Sequence, residues 1–95
     1  MDELEAGVRK RLFRLKDLAD DMAGVRGRWT SEDGAVTVEV DGNGALVDLV
    51  LAPSISALTP ADFEQRVVAT ANAAARAAFE RRAKLVNAFN AEVAE

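Results

Sequence analysis

Ninety-five residues make one small domain, and a domain of that size buries only roughly 60 to 65% of its unfolded surface when it folds alone, so oligomerisation is expected. The chain has no Cys and no His, which excludes a disulfide framework, a thiolate site, the usual zinc ligand and the usual general base. With 12 Lys and Arg against 16 Asp and Glu, the formal net charge is -4, so any nucleic-acid binding has to come from local basic patches.

The opening MDELEAG is acidic and has no apolar core, so it does not read as a secretory signal. No run approaches the ~18 consecutive apolar residues of a membrane span, and a soluble cytoplasmic protein with no membrane partner is expected. From Asp2 to Ala23, Leu4, Val8, Leu12, Leu15, Ala19 and Met22 recur at spacings of three and four, widened by Phe13 and Leu18. This predicts an amphipathic helix over 2–23. Asp2, Glu3 and Glu5 suit the positive end of its dipole, and Gly24 follows as a stop.

Beyond Gly24 the period falls to two, which predicts antiparallel strands over 25–31, 35–41 and 45–51. Asp33-Gly34 reads as a two-residue hairpin loop that sets Ser31 opposite Val36, Trp29 opposite Val38 and Arg28 opposite Glu39, with Trp29 in the core. Asp41-Gly42-Asn43-Gly44 permits two registers. A Gly42-Asn43 loop is preferred because it sets Glu39 against Leu46 and Thr37 against Asp48, whereas an Asn43-Gly44 loop faces Glu39 with Asp48. That preference requires positive φ at Gly42. The same DGNG lacks the later acidic positions of a calcium loop, so no metal is expected.

Pro53 closes the third strand, and Thr59-Pro60-Ala61-Asp62 supplies an N-cap, a first-turn proline and a first-turn acid for a helix over 60–93. Its stripe of Phe63, Val67, Ala71, Ala74, Ala78, Leu85, Phe89 and Val93 spans roughly 45 to 50 Å, more than a monomer this small is expected to cover. The alanine face ATANAAARAA, over 69–78, favours a close helix–helix seam.

Ser31, Ser54 and Ser56 lack a histidine base, and Lys10, Lys16 and Lys84 fall on exposed helical faces, so an enzyme is not expected and no cofactor is implied. The cations do cluster: Arg9, Lys10, Arg11, Arg14 and Lys16 in the first helix, and Arg76, Arg81, Arg82 and Lys84 in the second. Two readings stand side by side. They contact phosphates, or they pair, Glu80 with Arg76 and Lys84, and Arg81 and Arg82 with Glu3 and Glu5. No helix-turn-helix spacing is present to read base edges.

The stretch from Gly27 to Gly44 resembles the YbaB/EbfC family of nucleoid-associated proteins, whose central Gly, polar turn and Gly-x-Val-x-Val-x-Val-x-Gly pattern falls here on Gly27, Gly34, Val36, Val38, Val40 and Gly42. Val47, Leu49, Leu51 and Pro53 continue it, and Ala71-Asn72-Ala73-Ala74 resembles the family's Asn-Asp-Ala segment. The resemblance implies an α+β, α-β-β-β-α subunit spanning 1–95 as one domain. It also implies a tweezers-like homodimer that binds duplex DNA with little sequence preference in the cytoplasm, associated with the nucleoid. The implied DNA contacts are Arg9, Lys10, Arg11, Arg14, Arg76, Arg81, Arg82 and Lys84. The implied dimer interface is Val36, Val38, Val47 and Leu49 of the platform with Phe63, Val67, Ala71, Ala74 and Ala78 of the second helix. The alanine-rich second helix is also similar to that of actinobacterial relatives such as EspL, some of which look like partners of specialised secretion systems. A dimeric scaffold for another protein is therefore the alternative reading.

Overall fold

The computed structural model describes the backbone of residues 2–94 and the side chains of residues 3–92, so the expected stripe's last member, Val93, lies outside the described side chains. Its elements are α1 (Asp2–Ala23), β1 (Arg26–Thr30), β2 (Val36–Asp41), β3 (Leu46–Leu51), a short 3-10 helix (Pro53–Ala57) and α2 (Pro60–Ala94). The strands form one antiparallel sheet in the order β1-β2-β3, giving the α+β, α-β-β-β-α architecture. Thr59 caps α2 through its Oγ1, which accepts the Asp62 N–H at 3.1 Å, and Asp62 sits in the first turn. The radius of gyration is 19.2 Å, against about 12 Å for a compact chain of this length. The helices carry that excess, drawing the subunit out to 69 × 18 × 16 Å.

β2 is the centre of the core. Val36, Val38 and Val40 point to one face and are buried there beneath α2, together with Val25, Ala35, Ala74 and Ala78. The alanine seam lies between helix and sheet rather than between two helices, and Gly27 is the reason. A Cβ at Gly27 would stand 2.0 Å from the Ala74 carbonyl oxygen and 2.6 Å from the Ala78 nitrogen, so β1 and the α2 backbone meet where neither carries bulk. Val67, Ala71, Ala75 and Leu85 pack around this contact. Much of the α2 stripe is thus covered within the chain, and Val36, Val38, Ala74 and Ala78 have no surface left for a second copy.

The first hairpin has the expected register, with Trp29 opposite Val38 and Arg28 opposite Glu39, and the latter pair is 3.6 Å apart. Its turn is wider than a two-residue loop. Ser31 accepts the Gly34 N–H, and Gly34 alone is left-handed at φ 73°. Trp29 is 52% exposed at the sheet's edge, not in the core. Asp33 braces the turn by accepting the Ser31 hydroxyl at 2.7 Å and the Ala35 N–H at 3.1 Å, and it pairs with Arg66 of α2.

The second hairpin differs from the preferred register. Glu39 faces Asp48, Val38 faces Leu49, Thr37 faces Val50, and a bulge follows Glu39. Gly44, at φ 83°, is the left-handed residue, whereas Gly42 is not. The cause is Asp41, whose carboxylate accepts the Asn43 N–H at 2.9 Å and the Ala45 N–H at 3.0 Å. Those two bonds hold the turn in the form that sets Glu39 against Asp48. Facing like charges cost a few tenths to about 1 kcal/mol, and Arg28 offsets that by pairing with Glu39.

Candidate nucleic-acid interface

Most of β3 is left bare. α2 lies across β1 and β2, and Leu46, Val47, Leu49, Val50 and Leu51 all remain exposed, Leu46 at 62%. Of the residues expected at a dimer interface, Val47 and Leu49 lie on this open strand, while Phe63, Val67 and Ala71 are half-buried on α2. Beside β3, Phe79 of α2 is also exposed, and its ring would meet a Cβ at Gly44 at 3.2 Å.

α1 returns along the C-terminal part of α2 in the opposite sense. Arg14, Asp17, Leu18 and Asp21 line a cleft with Leu85, Ala88, Phe89 and Glu92, while Ala19, Met22 and Ala23 approach Arg82. α2 therefore runs out near Arg14, and every described side chain from Glu3 to Phe13 is exposed. The face of α1 that meets α2 carries Arg14, Leu18 and Asp21. The stripe of Leu4, Val8, Leu12 and Leu15 lies on another face and stays open to solvent.

The expected DNA contacts fall into two separate groups. Arg9, Lys10 and Arg11 stand exposed on the projecting half of α1, with Arg14 half-buried at its root. Arg9 touches Glu5 at 3.3 Å, an exposed pair of the kind worth about 0.3–0.5 kcal/mol, which leaves its guanidinium free to exchange partners. On α2, Arg76 and Lys84 are exposed, but Arg81 and Arg82 are engaged with the sheet. Arg81 donates to the Arg26 carbonyl at 2.9 Å and Arg82 to the Gly42 carbonyl at 3.0 Å. Neither pairs with Glu3 or Glu5, and among the described residues no ion pair joins Glu80 to Arg76 or Lys84. Met22, near Arg82, lies thirteen positions beyond Arg9 along α1, which is roughly 20 Å of helix, with Asp17, Asp20 and Asp21 between.

Two interactions escaped sequence reasoning: the Asp33–Arg66 pair that ties the first turn to α2, and the capture of strand carbonyls by Arg81 and Arg82. Neither has a local signal, because each joins residues more than thirty positions apart. The two turn carboxylates are perturbed in the same direction. The Ser31 hydroxyl, then the Ala35 N–H, holds the Asp33 carboxyl below its ordinary value of 3.8, with Arg66 adding to the effect. The N–H groups of Ala45 and Asn43 do the same for Asp41. Among the described residues no cluster of acids could hold a metal ion, and no helix is long and apolar enough to cross a membrane.

The sequence profile of the YbaB/EbfC DNA-binding family matches residues 1–93. The chain belongs to the YbaB/EbfC DNA-binding family. The family makes DNA the partner class, and the same architecture is found in a solved structure. The crystal structure of uncharacterized protein HP0035 from Helicobacter pylori superposes with a TM-score of 0.67 at 23% identity, covering 95% of this chain and 94% of that one. At that identity the likeness speaks for the fold. A search of curated proteins finds no match. Within this YbaB/EbfC chain Lys10 and Arg11 of α1 and Arg76 and Lys84 of α2 are exposed cations, whereas Arg81 and Arg82 are engaged with the sheet.

Proposed function

We propose that the protein is a homodimeric, nucleoid-associated protein that holds duplex DNA through phosphate contacts and with little regard for base sequence. The observation that carries this reading is the projecting half of α1, which puts Arg9, Lys10 and Arg11 on an exposed rod beyond the end of α2. Lys and Arg on such a rod suit phosphates, contacts that position a duplex without reading its sequence. In this reading Arg9, Lys10, Arg11 and Arg14 are the first contacts, Arg76 and Lys84 form a second patch, and Arg81 and Arg82 brace the arm against the sheet. The second copy joins at β3, where five apolar side chains and an unpaired strand edge await cover.

The test is a gel-shift titration with unrelated duplexes at two salt concentrations. Affinity should vary little with sequence and fall with salt at a log-log slope of roughly -0.9 per phosphate neutralised. Replacing Arg9, Lys10 and Arg14 together by Glu should abolish the shift while the dimer persists. The open stripe of Leu4, Val8, Leu12 and Leu15 favours a second reading, a dimeric scaffold whose α1 docks another protein. Absence of any shift at low salt, at protein concentrations far above the ~10⁻⁶ to 10⁻⁴ M of ordinary non-specific binding, would select that reading.

A further inference from the structure

Leu4, Val8, Leu12 and Leu15 of α1 are between 49% and 75% exposed, and α2 packs on another face of that helix. At 3.6 residues per turn the four fall within a sector of roughly 80°. That is narrower than the ~100° or more that a helix turns to a core, and it is the width of a seam with one other helix. The spacing of Val8, Leu12, Leu15, Ala19 and Met22, alternately four and three, is that of such a seam.

The charges beside the seam select its occupant. Arg11 borders it on one side and Arg9 and Lys16 on the other, while the acids of α1 other than Glu5 lie farther round the helix than any of these three. Arg11 and Lys16 have no ion-pair partner among the described residues, and Arg9 has only its exposed contact with Glu5. A second α1 is a poor occupant. Set parallel, it brings Arg9 and Lys16 against Arg11, and set antiparallel, it brings each basic flank against its own counterpart. An anionic lipid surface is a poor one too, because it takes helices with a basic polar face, and α1 carries six acids against five cations.

We infer that the open seam of α1 docks an acidic amphipathic helix of a partner protein, one with aliphatic residues at the same spacing and carboxylates on both flanks. The aliphatic residues pack on Val8, Leu12 and Leu15, and the carboxylates meet Arg11 on one side and Arg9 and Lys16 on the other. The docking itself does not require the arm to hold DNA. Where the arm does hold it, Arg9 and Arg11 serve both ligands, so a docked helix and a duplex exclude each other, a consequence that rests on the DNA reading above.

The probe is a blocked, fluorescein-labelled peptide of three Glu-Leu-Ala-Ala-Leu-Glu-Ala repeats, with an analogue carrying Lys in place of every Glu. Titration with the protein, followed by fluorescence anisotropy, should saturate with the Glu peptide, and the Lys analogue should bind at least about tenfold more weakly. Arg11→Glu with Lys16→Glu should reverse that preference. Val8→Ser with Leu12→Ser should weaken binding of the Glu peptide at least about tenfold. All four positions are exposed, so both variants should keep the parent's circular dichroism spectrum. The inference is overturned if the Glu peptide gives no response up to about 1 mM protein. Equal binding of both peptides, or undiminished binding by Val8→Ser with Leu12→Ser, overturns it too. A fall in sedimenting mass on the Val8 and Leu12 replacements would assign the seam to a second copy, and binding to phosphatidylglycerol vesicles but not to the peptide would assign it to lipid; either result overturns the inference. In a gel shift the unlabelled Glu peptide should release bound duplex, and a peptide that docks by anisotropy yet leaves the duplex bound overturns the exclusion alone.

Discussion

Gly27→Ala should be the most damaging single-methyl change in the chain. Its new Cβ would lie 2.0 Å from the Ala74 oxygen, 2.6 Å from the Ala78 nitrogen and 2.9 Å from the Ala78 Cβ, where ordinary contacts are 3.4–4 Å. The first two obstacles are helix backbone and cannot rotate away. Relief requires α2 to lift from β1 by on the order of an ångström, which loosens its grip on Val36, Val38 and Val40. Overpacking of this kind costs about 1–3 kcal/mol, and contact with rigid backbone places this case at or above the upper end. At 4–8 °C per kcal/mol for a chain of this size, the melting temperature should fall by roughly 12 to 24 °C. Thermal and urea unfolding followed by circular dichroism, at one fixed protein concentration because association adds to stability, measures it. Gly7→Ala is the control. Its Cβ meets nothing within 4 Å on exposed α1, so it should be neutral or stabilising by up to about 1 kcal/mol. A Gly27→Ala protein within about 0.5 kcal/mol of the parent, the range of ordinary surface changes, would refute the close helix–sheet contact as the organising feature of the core.

Gly34→Ala should cost about 1–2 kcal/mol from φ alone, since nothing crowds its Cβ, and Gly34→Asn should recover part of that in the same unfolding assay. Leu49→Glu with Leu51→Glu should lower the sedimenting mass to that of one chain and abolish the rise of melting temperature with concentration expected of an associating protein. A parent that already sediments as one chain across the micromolar range, with a constant melting temperature, would defeat the dimer. Asp33 and Asp41 both titrate below 3.8 in the fold, so their contribution is complete above that value and is lost as pH falls through the lowered values. Asp33→Asn with Asp41→Asn should flatten the acid limb of the stability–pH curve. Arg82→Ala should lower stability, through loss of its bond to the Gly42 carbonyl, more than it weakens DNA binding, and Arg9→Ala should do the reverse in paired unfolding and gel-shift assays.

Most of the fold was legible along the chain because its signals are local. Periods of 3.6 and 2, the Thr59 cap and the glycine-bearing turns each act over a few residues, and together they fix the α-β-β-β-α order and the first hairpin's register. The second register was misjudged by weighing Glu39 against Asp48 while the Asp41 carboxylate, satisfying two turn amides, outweighed that repulsion. The candidate site divides in the same way. That Arg9, Lys10 and Arg11 share one helix follows from sequence, because helical spacing is a property of α1 alone, whereas their exposure depends on α2 running out near Arg14. That Arg81 and Arg82 grip strand carbonyls depends on where α2 crosses the sheet, and that crossing is set by one glycine in β1 meeting two alanines some fifty residues later. The same crossing buries Val36 and Val38 under α2 and leaves β3 bare. Alternation marks which residues share a face, but only the position of the helix decides which part of that face is covered.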